Sequence, residues 1–202
     1  EPVFVDIHPR TCCIDPTLIA AAITPDTTAI LATHVYGIPC DVEAIDAIAR
    51  KHGLKVIYDA AHAFDVKYKG RSILQWGDAS TLSFHATKLF HTVEGGAVVL
   101  HNEEHDKALR LLRSFGHVGD EHFSLGMNAK MSEVHAAMGM AVLPHVERIV
   151  AERMEICACY DERLNGFVTR PLMNPVTTYN FAYYPIILRD EAQREWVMTT
   201  LA

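Results

Sequence analysis

The chain has 202 residues, half of them hydrophobic, enough to bury a core of one large domain or a domain and a half. Its 18 basic and 25 acidic residues leave a net charge of −7, which argues against a nucleic-acid or anionic-membrane surface and for a small-molecule partner or a second copy of the chain. No apolar run is long enough to span a bilayer, and the opening EPVFVDIHPR lacks the basic and apolar regions of a signal peptide, so a cytoplasmic location is expected.

In chain order, PVFVDI is strand-like, and DPTLIAAAI carries an Asp cap with Pro at the first helical position. TTAILATHV is β-branched and apolar again. DVEAIDAIARKHG is an amphipathic helix between Asp41 and Gly53, and KVIYDAA is the next strand. GDASTLSF and GGAVVL supply two more short strands, and Glu103 to Phe115 is charged and leucine-rich enough for a helix. From Ser132 to Leu164 the pattern is helical, with Met131, Val134, Met138 and Ala141 on one stripe and a kink or break at Pro144. After NGF the composition turns aromatic and β-rich in TTYNFAYYPIIL, and a helix begins at Asp190. Strands alternating with helices predict an α/β fold, a three-layer, mostly parallel sheet with helices on both faces.

Ligands collect at the carboxyl ends of the strands in such sheets. Three polar stretches fall there: His34 to Gly37, Asp59 to His62, and Ser83 to Lys88. Lys88 stands between two apolar strands in STLSFHATKLFHTVEGGAVVL, where a lysine is rarely found without a partner or a chemical task. Asp59 closes the apolar strand KVIYD, a place where an inward carboxylate is costly unless it meets a cation or donors. The five cysteines read as reduced thiols, and the 12 histidines form no H-E-x-x-H pair or comparable ligand cluster, so no metal is expected.

The stretch VIYDAAHAFDVKYKGRSILQWGDASTLSFHATKLFHTVEGGAVVL, with GMNAKMSEVHAAMGM, resembles the DegT/DnrJ/EryC1/StrS family of pyridoxal phosphate (PLP) dependent nucleotide-sugar aminotransferases. The likeness runs along essentially the whole chain, with the Asp, the Ser, the Lys and the following Gly-Gly in the family's order and spacing. It implies the aspartate aminotransferase large-domain fold (fold type I) for residues 1–160 and the start of a small α+β C-terminal domain over 161–202. The chain is expected to be a fragment of a longer one, the family's preceding phosphate-loop segment lying outside it.

By that resemblance Lys88 is the lysine that bonds PLP covalently and later carries a proton at the substrate carbon. Asp59 pairs with the cofactor's pyridinium nitrogen, strengthening its electron sink. His62 stands near the ring and its 3′ oxygen, and Ser83 is the hydroxyl that meets the phosphate. Asn128 reaches the cofactor phosphate of a neighbouring subunit, which implies a homodimer with shared sites. Lys130 stands where Arg is the commoner residue of that motif, keeping the charge but losing a planar fork.

The resemblance implies transfer of an amino group from an amino acid, usually L-glutamate, to a keto sugar nucleotide. Within the family the lysine segment is most similar to enzymes acting on dTDP-4-keto-6-deoxyglucose. Two alternatives are a catalytically silent regulatory or scaffold domain and a PLP-dependent sugar dehydratase, in which a His replaces the lysine.

Overall fold

The computed structural model describes residues 1–201. Helix α1 (Pro16–Ala22) starts where Asp15 accepts from the Thr17 amide, and α2 (Val42–His52) starts where Asp41 accepts from Ala44. Gly53, at φ +68°, closes α2 in the left-handed conformation. Strands β1 (Ala29–Thr33) and β2 (Lys55–Asp59) flank α2 in sequence. After a short hairpin of β3 (Lys67–Tyr68) and β4 (Arg71–Ser72) come β5 (Ala79–Ser83) and β6 (Gly96–Leu100). The main sheet runs β1-β2-β5-β6, with the first three strands parallel and β6 antiparallel to β5.

The register sets Ile30 against Val56, and Ala32 against Tyr58 and Ser80. That face is buried with Ile19 of α1 and Val42, Ile45 and Ala49 of α2. The other face stays open at Leu31, 67% exposed, and Val98. His34 lies fully buried after β1, stacked on Tyr58 at 4.6 Å. Its Nδ1 accepts from the Cys40 amide at 3.0 Å, so the neutral ring carries its proton on Nε2, which has no partner among the described residues. All five cysteines are free thiols; Cys13 donates to the Ile38 carbonyl and Cys40 to that of Thr33.

Helix α3 (Glu103–Leu112) ends three residues before the expected Phe115, and β7 (His117–Val118) with β8 (Glu121–His122) forms a second small hairpin. Pro144 divides the long helical stretch as expected, with a 3₁₀ turn between α4 (Glu133–Val142) and α5 (Val146–Leu164). Among the described residues no helix is long and apolar enough to cross a membrane.

Two expectations are corrected. PVFVDI forms no strand beyond a single bridge between Ile7 and Ile14, because no strand lies beside it and Phe4 is 91% exposed. TTYNFAYYPIIL contributes only β9 (Thr177–Thr178) and a bridge from Ile187 to Thr169. The domain division expected between 160 and 161 falls inside α5. Beyond it, β9 pairs with β3 and Tyr179 joins the core. The final helix is α6 (Glu191–Leu201).

Burial holds the His34 pKa down to about 3, against an ordinary value near 6.5. Below pH 6.5 the unfolded chain takes up a proton that the folded chain refuses, so stability falls as pH falls, by about 1.4 kcal/mol per pH unit, until the folded pKa is reached. In urea unfolding of the intact protein across pH 4 to 7, His34→Asn, which keeps an acceptor for Cys40, is expected to remove one proton's worth of this slope.

Candidate active site

The parallel register aligns Thr33, Asp59 and Thr81 in one row, and the chain leaves β1 and β2 from adjacent points. His34 N donates to the Asp59 carbonyl and Ala60 N to that of Thr81, both at 2.9 Å, which extends the ladder past the strand ends. The Asp59 carboxylate turns the chain by accepting from Ala61 N at 3.0 Å through Oδ1. Its Oδ2 has no protein donor among the described residues.

His62 follows on the same turn, and Tyr36 N donates to its Nδ1 at 3.1 Å, so the neutral ring presents Nε2–H. Burial lowers the His62 pKa, the Lys88 ammonium lowers it further, and the Asp59 carboxylate opposes both. Asp59 and His62 lie on the turn after β2 and Lys88 in the loop after β5, the strand paired beside it. Gly37, at φ +83°, sets the approach: a Cβ there would stand 2.7 Å from the His62 carbonyl oxygen.

Lys88 sits in a loop closed by Phe84 N to Gly95 O at 2.8 Å and Thr92 N to Phe84 O at 2.9 Å. Its backbone donates to the His85 carbonyl at 2.9 Å. Leu89 and Phe90 are buried, and Phe90 stacks on Phe64 at 4.7 Å and meets the edge of Phe84 at 4.9 Å. Lys88 itself is half-buried and has no carboxylate in ion-pairing range among the described residues; Glu94 faces His85 instead. Ser83 ends β5 opposite Gly96, whose missing Cβ lets the strands close, since one would lie 2.7 Å from the Leu82 carbonyl. Gly139 of α4 packs on the same loop, where a Cβ would meet Thr92 Cγ2 at 2.8 Å.

Sequence reasoning missed the third wall. The Tyr183 ring lies 4.6 Å from that of His62 and 5.9 Å from that of Tyr36. Tyr179 donates its hydroxyl to the Tyr36 carbonyl at 2.7 Å. Asn180, 1% exposed, donates from Nδ2 to the carbonyls of His62 at 3.0 Å and Phe64 at 2.8 Å, while its Oδ1 accepts from Ala182 N at 3.1 Å. The available signal was a polar Asn inside an aromatic run, YNFAYY, a pattern that demands buried partners.

Asn128 is not gathered into this space. It bridges to Ser114, and its Oδ1 accepts from Lys130 Nζ at 2.9 Å, with that ammonium 4.0 Å above the Phe115 ring. Within this chain Asn128 stays on an exposed surface.

The family model for the DegT/DnrJ/EryC1/StrS aminotransferases matches residues 1–202. This chain belongs to the DegT/DnrJ/EryC1/StrS aminotransferase family. It is 45% identical over 194 residues to the dTDP-4-amino-4,6-dideoxy-D-glucose transaminase of Shigella dysenteriae, which covers 95% of this chain and 53% of that protein. It is 38% identical over 177 residues to a pleiotropic regulatory protein of Geobacillus stearothermophilus, covering 87% of this chain and 48% of that one. The crystal structure of DesI in the presence of its TDP-sugar product superposes with a TM-score of 0.90 at 36% identity, over 100% of this chain and 53% of that chain. The chain thus spans about half the length of the curated relatives it matches. The mixed, mostly parallel α/β fold is the one these DegT/DnrJ/EryC1/StrS sugar aminotransferases share.

Asn180→Ala strands two buried carbonyls and one amide, so a loss of about 2–4 kcal/mol is expected in urea unfolding. Asn180→Asp retains the acceptor for Ala182 but turns a carboxylate toward two carbonyl oxygens. It is expected to destabilise at least as much, and more as pH rises.

Proposed function

We propose that the protein carrying this chain is a PLP-dependent aminotransferase that moves an amino group from an amino acid, L-glutamate by preference, to a keto sugar nucleotide. The observation that carries this reading is Lys88: half-buried, without a counter-ion among the described residues, in the loop that follows β5, beside the turn after β2 that holds Asp59 and His62. The donor set fits the cofactor. Lys88 Nζ would hold its aldehyde carbon, the free Asp59 Oδ2 its ring nitrogen, and His62 Nε2–H its ring oxygen. Ser83, at the end of β5, would meet the phosphate, and Asn128 would reach a second subunit's phosphate in a homodimer with shared sites. When bound, PLP supplies an electron sink for the pair left at the amino donor's α-carbon.

The chain's own residues do the rest. A carboxylate at Asp59 would favour the protonated form of a ring nitrogen facing it. Lys88 Nζ would serve as the base that takes the proton from the donor's α-carbon and the acid that gives it back. The Tyr183 ring packs against His62 and against Tyr36, and all three stay half-buried. The likeness to the Shigella dysenteriae transaminase supports dTDP-4-keto-6-deoxyglucose as acceptor, with the amine delivered to C4 of the sugar. Lys88 disfavours a dehydratase with His in that place.

A second reading, a regulatory protein without turnover, is favoured by the likeness to the pleiotropic regulatory protein. The two separate on the intact protein. The enzyme absorbs at the edge of the visible range with PLP, bleaches with borohydride, and aminates the keto sugar nucleotide. A regulator does not turn over.

Lys88→Ala is expected to abolish borohydride fixation and lower transamination by at least about 10²-fold, while stability moves by less than about 0.5 kcal/mol. Asp59→Asn is expected to retain some PLP and to lose at least about tenfold in kcat, about 1.4 kcal/mol of barrier. Near-normal turnover in Lys88→Ala would overturn the reading.

A further inference from the structure

The hairpin of β7 and β8 carries two histidines that the chemistry at Lys88 does not use. His117 stands directly opposite His122 in the antiparallel register, and Val118 opposite Glu121, so Gly119 and Asp120 form a two-residue loop. Gly119, at φ +58°, is the first of the two, where such a loop favours glycine. At the base of the hairpin Phe123 N donates to Gly116 O at 2.8 Å, which makes Gly116 and Phe123 a hydrogen-bonded pair. Bonded and unbonded pairs alternate along an antiparallel ladder, so His117 and His122 fall on the unbonded pair, where opposite side chains lie closest. Gly116 N donates in turn to Leu111 O at 2.8 Å, and a Cβ at Gly116 would collide with the Ser124 carbonyl, so the base is fixed to the end of α3.

The two imidazoles are set as a chelating pair. Their ring centres are 5.4 Å apart, with the planes inclined by 43°. A ring centre lies about 3.2 Å from an ion that one of its nitrogens ligates at about 2.0–2.1 Å, so two rings at a tetrahedral angle have centres about 5.2 Å apart. His117 also holds the tautomer a ligand needs. Its Nδ1 lies 2.8 Å from the Gly119 carbonyl, which can only accept, so Nδ1 carries the proton and Nε2 keeps its lone pair. A ring N–H given to a backbone carbonyl is the support that orients a ligating histidine. Phe115 stacks on the His117 ring at 5.9 Å, while His122 is exposed and its ring is free to turn toward an ion. Asp120 and Glu121 on the same hairpin, in a chain of net charge −7, favour a cation there.

We propose that His117 and His122 form a cross-strand site for a divalent metal ion of the zinc and nickel type, bound through His117 Nε2 and one ring nitrogen of His122. The spacing of the two histidines matches no short ligand motif, because the pair is made by strand register and not by a helical turn. Among the described residues no third His, Cys, Asp or Glu completes a cluster, so the remaining coordination positions fall to water or to a group outside the chain. Imidazole nitrogen suits both ions, and Ni²⁺ is the better probe because Zn²⁺ also seeks the free thiols.

The proposal stands apart from the reaction at Lys88, and its test does not measure turnover. Calorimetric titration of the intact protein with NiCl₂ is expected to show a site whose affinity falls at least about tenfold in His117→Ala and likewise in His122→Ala. His105→Ala, at an exposed histidine of α3, is expected to leave that affinity unchanged. In the unsubstituted protein Ni²⁺ is expected to slow hydrogen exchange across residues 117–122 by at least about tenfold, since the ion joins the two strands. Full affinity in either His117→Ala or His122→Ala, an equal loss in His105→Ala, or unchanged exchange across the hairpin would each overturn it.

Discussion

The register that sets Thr33, Asp59 and Thr81 side by side is the constraint on which the site depends. Parallel strands end at the same edge, so the loops that follow them must leave from neighbouring points. The first two bonds beyond the strands, His34 N to Asp59 O and Ala60 N to Thr81 O, carry that alignment into the loops. A slip of one residue in β2 would turn Asp59 to the opposite face of the sheet and bury its carboxylate between Ala32 and Ser80, while Tyr58 left the core. Hydrophobic alternation on that face, with Val56 and Tyr58 nearly inaccessible, makes the slip costly and so holds the carboxylate in place.

The buried side of the sheet and the working edge are coupled through His34. It stacks on Tyr58 in the core while its Nδ1 fixes the Cys40 amide, and its own backbone bonds to Asp59. The next residues, Val35 to Gly37, turn sharply enough that only a glycine fits against the His62 carbonyl. Asn180 then ties that carbonyl, and that of Phe64, to a segment more than 100 residues away. The wall around His62 is therefore tied to backbone carbonyls by two side chains, Asn180 and Tyr179.

The sequence made the local elements legible wherever period and caps agreed. Asp41 and Gly53 bracket α2 as their side-chain and backbone preferences demand, and KVIYD alternates as a half-buried strand must. The rule for strand ends singled out the stretches that hold Asp59, His62 and Lys88, and the parallel pairing of β2 with β5 makes the loops that carry them neighbours. What stayed hidden was non-local. PVFVDI has the composition of a strand, but a strand exists only where a neighbour bonds to it, and composition says nothing of neighbours. Tyr179 reaches Tyr36 across 143 residues, so no window of sequence could show that the aromatic run closes the site. The β3 to β4 hairpin rests on Lys69 and Gly70, both at positive φ, and a Lys-Gly pair is a weaker turn signal than Asn-Gly.

Around Lys88 the chain separates anchoring from reactivity. An ion pair would position the amine, but a carboxylate within reach would also favour its charged form and remove the lone pair that covalent chemistry needs. The loop is held instead by Leu89 and Phe90 in the apolar interior, by Phe64 and Phe84 around the Phe90 ring, and by backbone bonds at its neck. Glu94, the nearest acid in sequence, is turned toward His85. The backbone at position 88 is thereby fixed while Nζ stays without an ion-paired carboxylate among the described residues. An amine held this way can bond to an electrophile, leave it, and move a proton without first breaking a salt bridge.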